Sequence, residues 1–391
     1  MVELDAKSES TVIDRAERPV LEVRNLRTYF YSDNRLNPAV DGVSFTLRAG
    51  HILGIVGESG CGKSVTASSI MQLLPELARI ESGEIIYRGG IGEEHLERYP
   101  RNSAAMRRVR GKEIAMIFQD PMVSLNPVYT IGWQITEMLR LHLDMNPAEA
   151  KKRAIELLGE MGIASPEIRV NEFPHQFSGG MRQRAMIAMA MSCNPNILIA
   201  DEPTTALDVT IQAQVFELVD QLRATHNMAT LLITHDMGVI TEMADDVVVM
   251  YMGKVVESGT VQDVLGDPQH PYTQNLLRSM PILGRGHNQL LVPIKGSTPD
   301  AYNRPPGCQF APRCEFAMDV CATQPPDFSI STTHSASCWL RAPSGEPTVK
   351  PSDLRASEPA SMVNPEPPQR PSPPSRDQST TQRRNSGRSH E

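Results

Sequence analysis

The chain carries the stretch Gly57-Glu58-Ser59-Gly60-Cys61-Gly62-Lys63-Ser64, which matches the pattern G-x-x-x-x-G-K-[ST] of a phosphate-binding loop. An apolar run over residues 52–56 predicts a buried strand before it, and residues 65–74 predict a helix after it. The glycines permit a tight turn in which successive N–H groups face one anion. We therefore expect this loop to bind a nucleotide, with Lys63 on the β- and γ-phosphates and the Ser64 hydroxyl on Mg²⁺.

Length, charge and hydropathy exclude several classes of protein. A chain of 391 residues indicates more than one domain. The net charge of -8 disfavours non-specific binding to nucleic acid, which requires a basic surface. No apolar run is long enough to cross a membrane, and residues 1–19 lack the apolar core of a signal peptide. We expect a cytoplasmic location, in which cysteines stay reduced.

Two further apolar runs end in polar side chains. Residues 113–118 are followed by Gln119, and residues 196–200 by Asp201 and Glu202. Parallel strands present their carboxyl ends at one sheet edge, where α/β proteins bind ligands. We expect Gln119 and Asp201 to hold Mg²⁺ together with the loop serine, and Glu202 to orient and deprotonate water. Alone, a terminal glutamine or a solvated acidic pair would be unremarkable; the phosphate-binding loop favours the catalytic interpretation.

A third run, residues 231–234, ends at His235. A lone histidine is usually structural, but here it follows a strand of the same predicted sheet edge. A contact between His235 and the γ-phosphate is the better hypothesis. Beyond it, residues 246–256 predict a hairpin that turns at residues 252–254.

The segment before the phosphate-binding loop predicts two strands. Residues 21–26 partly alternate, as in an edge-exposed strand, and residues 43–47 form the second. Phe30 lies between them. By its position core packing is favoured, although an aromatic ring there could also stack on adenine.

The middle of the chain predicts helices over residues 130–142 and 147–161 and from Ser178 to about residue 192. Ser178 can cap the last of these, and Gly179 and Gly180 leave its first N–H groups open to an anion. On its own a Ser-Gly-Gly sequence is more often a plain turn.

Taken in order, these motifs resemble those of an ABC-transporter nucleotide-binding subunit over about residues 20–265. The resemblance implies an α/β P-loop ABC-type ATPase core with an inserted helical subdomain. It implies that ATP and Mg²⁺ lie between two such domains, with Ser178, Gly179, Gly180 and Met181 facing the nucleotide of the partner. It also implies adenine stacking for Phe30, and a loop over residues 203–208 that links the two sites. Phe177 and Met181 depart from the usual Leu and Gln, which should alter interface packing only.

Three further stretches resemble the oligopeptide/dipeptide importer subfamily: residues 118–127, residues 270–277 and residues 305–340. The resemblance implies an ATPase on the cytoplasmic face of the cell membrane that powers import of di- and oligopeptides. Its partners would be two membrane permease subunits, a second ABC ATPase subunit (a paralogue or a second copy) and an extracytoplasmic solute-binding protein. Two alternatives stay open: import of nickel or another small solute, and a soluble ABC ATPase without a transport role.

We expect four segments along the chain. Residues 1–19 form a disordered arm, residues 20–280 the ATPase domain with its helical subdomain at about 120–195, residues 281–341 a small extension, and residues 342–391 a disordered tail. The tail is rich in Pro, Ser and Arg and has too few large apolar residues to offset its ordering entropy.

The extension contains Cys308, Cys314, Cys321 and Cys338, spaced C-x5-C-x6-C-x16-C. Unrelated buried thiols are one interpretation, and tetrahedral Zn²⁺ is another. The absence of close C-x2-C pairs favours a [4Fe–4S] cluster, whose ligands can come from separate loops. We predict such a cluster, with a structural role whose loss leaves ATP binding intact.

Overall fold

The computed structural model describes residues 19–32, 35–120, 124–204, 209–279 and 293–343, all within one compact unit. Almost all of the predicted arm and of the predicted tail, Pro121 to Val123 and Leu207-Asp208 lie outside these residues; Pro19, the last residue of the predicted arm, already belongs to the first strand. No helix in the described ranges is both long enough and apolar enough to cross a membrane.

The first sheet is antiparallel and four-stranded. Its strands are β1 (Pro19–Ser32), β2 (Arg35–Arg48), β4 (Ala78–Gly89) and β5 (Gly92–His95), in the order β2-β1-β4-β5. β1 is paired on both sides, so the expectation of an edge-exposed strand is wrong. Its alternation arises because Leu21 and Val23 face the core while Glu22 between them faces away.

The second sheet provides the edge at which the predicted site residues lie. It contains β3 (Ile52–Val56), β6 (Ile114–Ile117), β7 (Ile197–Asp201), β8 (Ala229–Thr234), β9 (Asp246–Tyr251), β10 (Lys254–Thr260), β11 (Phe328–Ser329) and β12 (Ser335–Ala336). The order is β11-β12-β10-β9-β3-β8-β7-β6, and the five strands from β9 to β6 are parallel. These central strands are almost fully buried, as expected for parallel strands covered on both faces.

The helices are α1 (Lys63–Ile70), α2 (Ala104–Val109), α3 (Ile131–Leu143), α4 (Pro147–Glu160), α5 (Pro166–Arg169), α6 (Gly179–Met191), α7 (Val209–His226), α8 (Met237–Met243), α9 (Val261–Gly266) and α10 (Pro271–Arg278). α4 begins with the predicted capping box of Asn146 and Glu149. α1 ends earlier than predicted, because the chain turns after Met71 and Gln72 adopts a positive φ of 51°.

The extension is part of the second sheet and of its core. β12 pairs with β10 through Glu257 and Ala336, which continues the sheet beyond the hairpin. Phe310 is buried against the rings of Tyr251 and Tyr272, with centroid distances of 5.4 Å to each. The predicted fold class, an α/β core with helices between β6 and β7 and a small cysteine-bearing extension, agrees with this architecture.

Candidate nucleotide-binding site

The phosphate-binding loop runs from the end of β3 to the start of α1, as predicted. Gly57 and Gly62 have φ values of 152° and 104°. A Cβ atom at Gly57 would collide with the carbonyl of Met250, and one at Gly62 with the carbonyl of Ala39. Both positions therefore require glycine, because neighbouring backbone presses against the loop.

Lys63 lies inside this loop and is 5% exposed. Its Nζ donates to the carbonyl oxygens of Gly57, at 2.7 Å, and Glu58, at 3.2 Å. The ammonium group is thus held against the backbone of the loop that the motif predicts to bind phosphate.

The first carboxylate at the end of β7 contacts the first turn of α1. Ser64 Oγ donates to Asp201 Oδ1 at 3.0 Å, across 137 residues of sequence. Burial raises the pKa of Asp201, which the Ser64 hydrogen bond opposes, while the neighbouring Glu202 charge raises it further. A buried carboxylate paired with an exposed hydroxyl beside Lys63 offers the oxygen donors that suit Mg²⁺.

Glu202 is held by the ends of the two flanking strands. Gln119, after β6, donates its Nε2 to Glu202 Oε2 at 2.9 Å, and His235, after β8, has Nδ1 at 3.4 Å from Glu202 Oε1. The Glu202 N–H donates to the carbonyl of Ile233 at 2.8 Å, and its φ is 47°. The positive φ turns the chain sharply at the strand end, where the side chain meets Gln119 and His235.

Phe30 is half-buried near the end of β1, in register with Asn37 of β2 and Ala78 of β4. β2 continues from Asn37 to Ala39, whose carbonyl abuts Gly62. Phe30 therefore lies on β1, next to β2, and β2 is the strand that contacts the phosphate-binding loop. Its predicted stacking on adenine stays a prediction.

Ser178 caps α6 and accepts from the N–H of Met181 at 3.3 Å. Ser178 and Gly179 are exposed, while Gly180 and Met181 are half-buried. Phe177 is buried in the helical core of its own chain, so its departure from the usual residue affects that core.

The four cysteines of the extension line one small apolar pocket together with His270, Phe310 and Trp339. Burial raises the pKa of Cys338 to about 11, and the other three thiols add to this shift. However, the described residues contain no group of three or more His, Cys, Asp or Glu side chains that could hold a metal ion. The sequence therefore identified thiols that share a pocket, but the predicted iron–sulfur cluster is not supported.

Sequence reasoning missed three residues that contact the phosphate-binding loop: Tyr272, Thr298 and Arg313. Each forms a hydrogen bond with Glu58. Arg313 directly precedes Cys314, so the extension and the phosphate-binding loop are in contact; that loss of the cysteine site leaves ATP binding intact stays a prediction. No local pattern marks these residues, because up to 255 positions separate the partners.

Two family models match the chain. One is described as ABC transporter and covers residues 40–205; the other is described as oligopeptide/dipeptide transporter, C-terminal region, and covers residues 256–321. The C-terminal-region model begins at residue 256, within β10, the strand with which β12 of the extension pairs.

Curated relatives match most of the chain. A probable peptide ABC transporter ATP-binding protein of Sinorhizobium fredii is 50% identical over 82% of this chain and 94% of its own length. The oligopeptide transport ATP-binding protein AppD of Bacillus subtilis is 51% identical over 82% of this chain and 96% of its own. Among solved structures, a dimeric post-hydrolysis state of the ATP-binding cassette MJ0796 is similar in fold, with a TM-score of 0.55 at 24% identity over 62% of this chain and 98% of that one.

Proposed function

We infer the function from one premise: the chain belongs to the ABC transporter ATP-binding proteins that carry the oligopeptide/dipeptide C-terminal region. It binds and hydrolyses ATP, and this hydrolysis powers peptide import across the cell membrane. The observation that carries this function is the meeting of three strand ends beside the phosphate-binding loop, with Glu202 between Gln119 and His235.

The backbone of the phosphate-binding loop and the side chain of Lys63 bind the phosphates of ATP. The N–H groups of residues 57–62 and the start of α1 form a positive cradle. When ATP enters, Lys63 exchanges its bonds to the loop carbonyls for the β- and γ-phosphate oxygens. Ser64, Asp201 and Gln119 would hold Mg²⁺, which when bound offsets the charge of the phosphates. The Ser64–Asp201 hydrogen bond supports this assignment.

Glu202 acts as the general base on the attacking water. Its two carboxylate oxygens have different neighbours, Gln119 and His235, so its orientation is fixed before substrate arrives. His235 is exposed on its outer side, with 61% of its side chain accessible, and is available to a γ-phosphate. This placement of base and phosphate partner at adjacent strand ends supports hydrolysis over nucleotide binding alone.

The N-terminus of α6 completes the nucleotide site of a second ATPase subunit. Its exposed Ser178 and Gly179 support this role, because open N–H groups at a helix start attract phosphate. Mixing two variants tests it: Ser178→Arg and Lys63→Ala subunits should together retain one working site, whereas either variant alone has none. Equal loss of hydrolysis in the mixture would contradict the arrangement.

A membrane permease docks beside Gln119. Large apolar side chains are exposed there: Phe118, Val128, Tyr129 and Trp133, the last two stacked at 3.9 Å between ring centroids. Their proximity in sequence to Gln119 would let docking reach the catalytic edge. Tyr129→Ser with Trp133→Ser should weaken co-purification with permeases after detergent extraction while basal ATP hydrolysis persists; Leu141→Ser, exposed farther along α3, is the matched control.

The complete assembly contains two permeases, two ATPase subunits and an extracytoplasmic binding protein, with this chain on the cytoplasmic side. Uptake of labelled di- and oligopeptides into vesicles holding the permeases and this chain tests the function. ATP-dependent uptake that Glu202→Gln abolishes is expected. Uptake of nickel or another small solute without any peptide uptake would redirect the substrate assignment.

A metal in the cysteine pocket is a separate proposal, with a [4Fe–4S] cluster as first choice and Zn²⁺ as second; because the described residues hold no ready-made group of three ligands, binding would require the four thiols to move together. Four thiols around one apolar pocket, and the N–H of Phe316 donating to Cys314 Sγ at 3.4 Å, support this proposal. Protein purified without oxygen should be brown and bleach with dithionite, and Cys314→Ser should lose the colour while Cys193→Ala keeps it. Colourless protein with one equivalent of zinc would favour Zn²⁺, and metal-free protein with an ordered extension would contradict both.

A further inference from the structure

Glu58, the second residue of the phosphate-binding loop, has all of its polar groups occupied. Its N–H donates to the Tyr272 hydroxyl at 2.8 Å, and its carbonyl accepts from Lys63 at 3.2 Å. Its carboxylate accepts two hydrogen bonds from Arg313, at 2.7 and 3.0 Å, and one from Thr298 at 3.2 Å. One residue thus joins the lysine of the loop to the C-terminal extension.

The Arg313 side chain is fixed independently of Glu58. It is 4% exposed, whereas Glu58 is 25% exposed. Its Nε donates to the carbonyl of Lys295 at 3.1 Å, and its Nη1 also lies 3.3 Å from the Tyr251 hydroxyl. The guanidinium is 5.9 Å from the ring centroids of both Tyr251 and Phe310. A planar fork held in this way imposes its geometry on the carboxylate that it binds.

The negative charge of Glu58 lies in a loop that is expected to bind another anion, and Arg313 offsets that charge. ATP brings several negative charges to a loop whose own Glu58 is negative. An unpaired carboxylate there would repel the phosphates and compete for Lys63, whose ammonium already bonds to the carbonyl of the same residue. The bidentate ion pair with Arg313 neutralises this charge.

We propose that Arg313 is a positioning residue for ATP, which acts by neutralising and orienting Glu58. The proposal rests on the nucleotide site proposed around Lys63. It also gives the extension a direct role in that site, because the short helical turn Ala311–Arg313 ends next to Cys314 and follows the buried Phe310. Whatever displaces this turn also displaces the partner of the Glu58 carboxylate.

The test compares four variants of the full chain by ATP titration and steady-state hydrolysis. Arg313→Met should weaken ATP binding about tenfold, with kcat at saturating ATP within about threefold of the parent, because the lost interaction acts on binding. Arg313→Lys keeps the charge and should stay within about threefold in affinity. Arg341→Met, which removes an extension arginine bonded to the backbone of Gln269, is the matched control and should leave affinity unchanged.

The decisive variant combines Arg313→Met with Glu58→Gln. The amide removes the negative charge, so the double variant should recover most of the affinity that Arg313→Met loses. Losses that add, or an Arg313→Met protein that binds ATP like the parent, would overturn the proposal. If Arg313→Met fails to fold, Arg313→Lys and the double variant decide: a folded double variant that binds weakly is also a contradiction.

Lys63→Ala separates this proposal from the site assignment. If Lys63→Ala binds ATP normally, the nucleotide site itself is misplaced. If Lys63→Ala loses ATP while Arg313→Met does not, the site stands and only the role of Arg313 fails.

Discussion

The nucleotide site and the cysteine pocket differ in how the chain builds them. Gln119, Asp201, Glu202 and His235 stand at or directly after the ends of β6, β7 and β8, so strand pairing alone brings them together. The cysteines come from short turns and irregular segments, and their meeting depends on the docking of β12 and Phe310 onto the ATPase core. Strand pairing alone sets the relative positions of residues at strand ends. Residues on loops come together only when other parts of the chain, here β12 and Phe310, pack against the core.

The two regions nevertheless meet at Glu58. The expected consequences differ in kind: changes at the strand ends should alter chemistry and leave the extension folded, whereas changes in the extension should alter stability first and ATP affinity second. Four substitutions test this difference, from the largest expected effect to the smallest.

Glu202→Gln should reduce the rate of ATP hydrolysis by about 10²- to 10⁴-fold, because the attacking water loses its base. ATP affinity and the unfolding temperature should stay at the parental level, since the amide keeps the volume and one hydrogen-bond acceptor. Single-turnover hydrolysis and ATP titration measure the two effects, with Glu156→Gln on the exposed face of α4 as the control. Undiminished hydrolysis would show that the base lies elsewhere.

Phe310→Ala should destabilise the extension by about 3–5 kcal/mol, because it leaves a cavity between Tyr251 and Tyr272. Thermal unfolding and limited proteolysis measure this loss. Phe316 is 49% exposed, so Phe316→Ala should change stability by less than about 0.5 kcal/mol. ATP affinity should fall together with the order of the extension. A variant with a proteolysed extension and parental ATP affinity would separate the two regions.

Lys63→Ala should reduce both ATP affinity and hydrolysis, with a loss of about 3 kcal/mol in transition-state stabilisation. The extension should keep its stability, because the Lys63 ammonium donates hydrogen bonds to Gly57, Glu58 and Cys61 of its own loop. Isothermal titration with ATP measures the change, and Lys152→Ala, whose side chain is 82% exposed, is the control. Parental affinity would place the phosphates away from this loop.

Thr298→Val should weaken ATP binding by about twofold at most, because it removes one solvent-exposed hydrogen bond from a neutral donor to Glu58 and leaves the Arg313 fork in place. Comparing the ATP affinities of Thr298→Val and Arg313→Met in the same titration isolates the contribution of the Arg313 charge, because both residues donate to the Glu58 carboxylate. An effect of Thr298→Val as large as that of Arg313→Met would mean that any contact on Glu58 suffices, and that neutralisation is not the cause.

The strand-end site was accessible from sequence because each of its members follows an apolar run that can only be a buried strand. Ile52–Val56, the run before Asp201 and the run before His235 need no distant information to be recognised as strands, and parallel pairing then puts their ends at one edge. The error over β1 has the same origin: alternation reports that one face is covered, but not how many neighbours pair with the strand.

The sequence alone was enough to predict the phosphate-binding loop and the polar side chains at the strand ends, because these depend on local periodicity and on glycines that the backbone requires. It indicated the fold class through the resemblance of these motifs to a known family. The folded structure was needed to show that the extension continues the second sheet, that four thiols share one apolar pocket and that Arg313 pairs with Glu58. The physical reason is the separation along the chain. Charge pairing between residues 255 positions apart and aromatic packing between separate segments leave no periodic trace, since both are set by how finished elements dock.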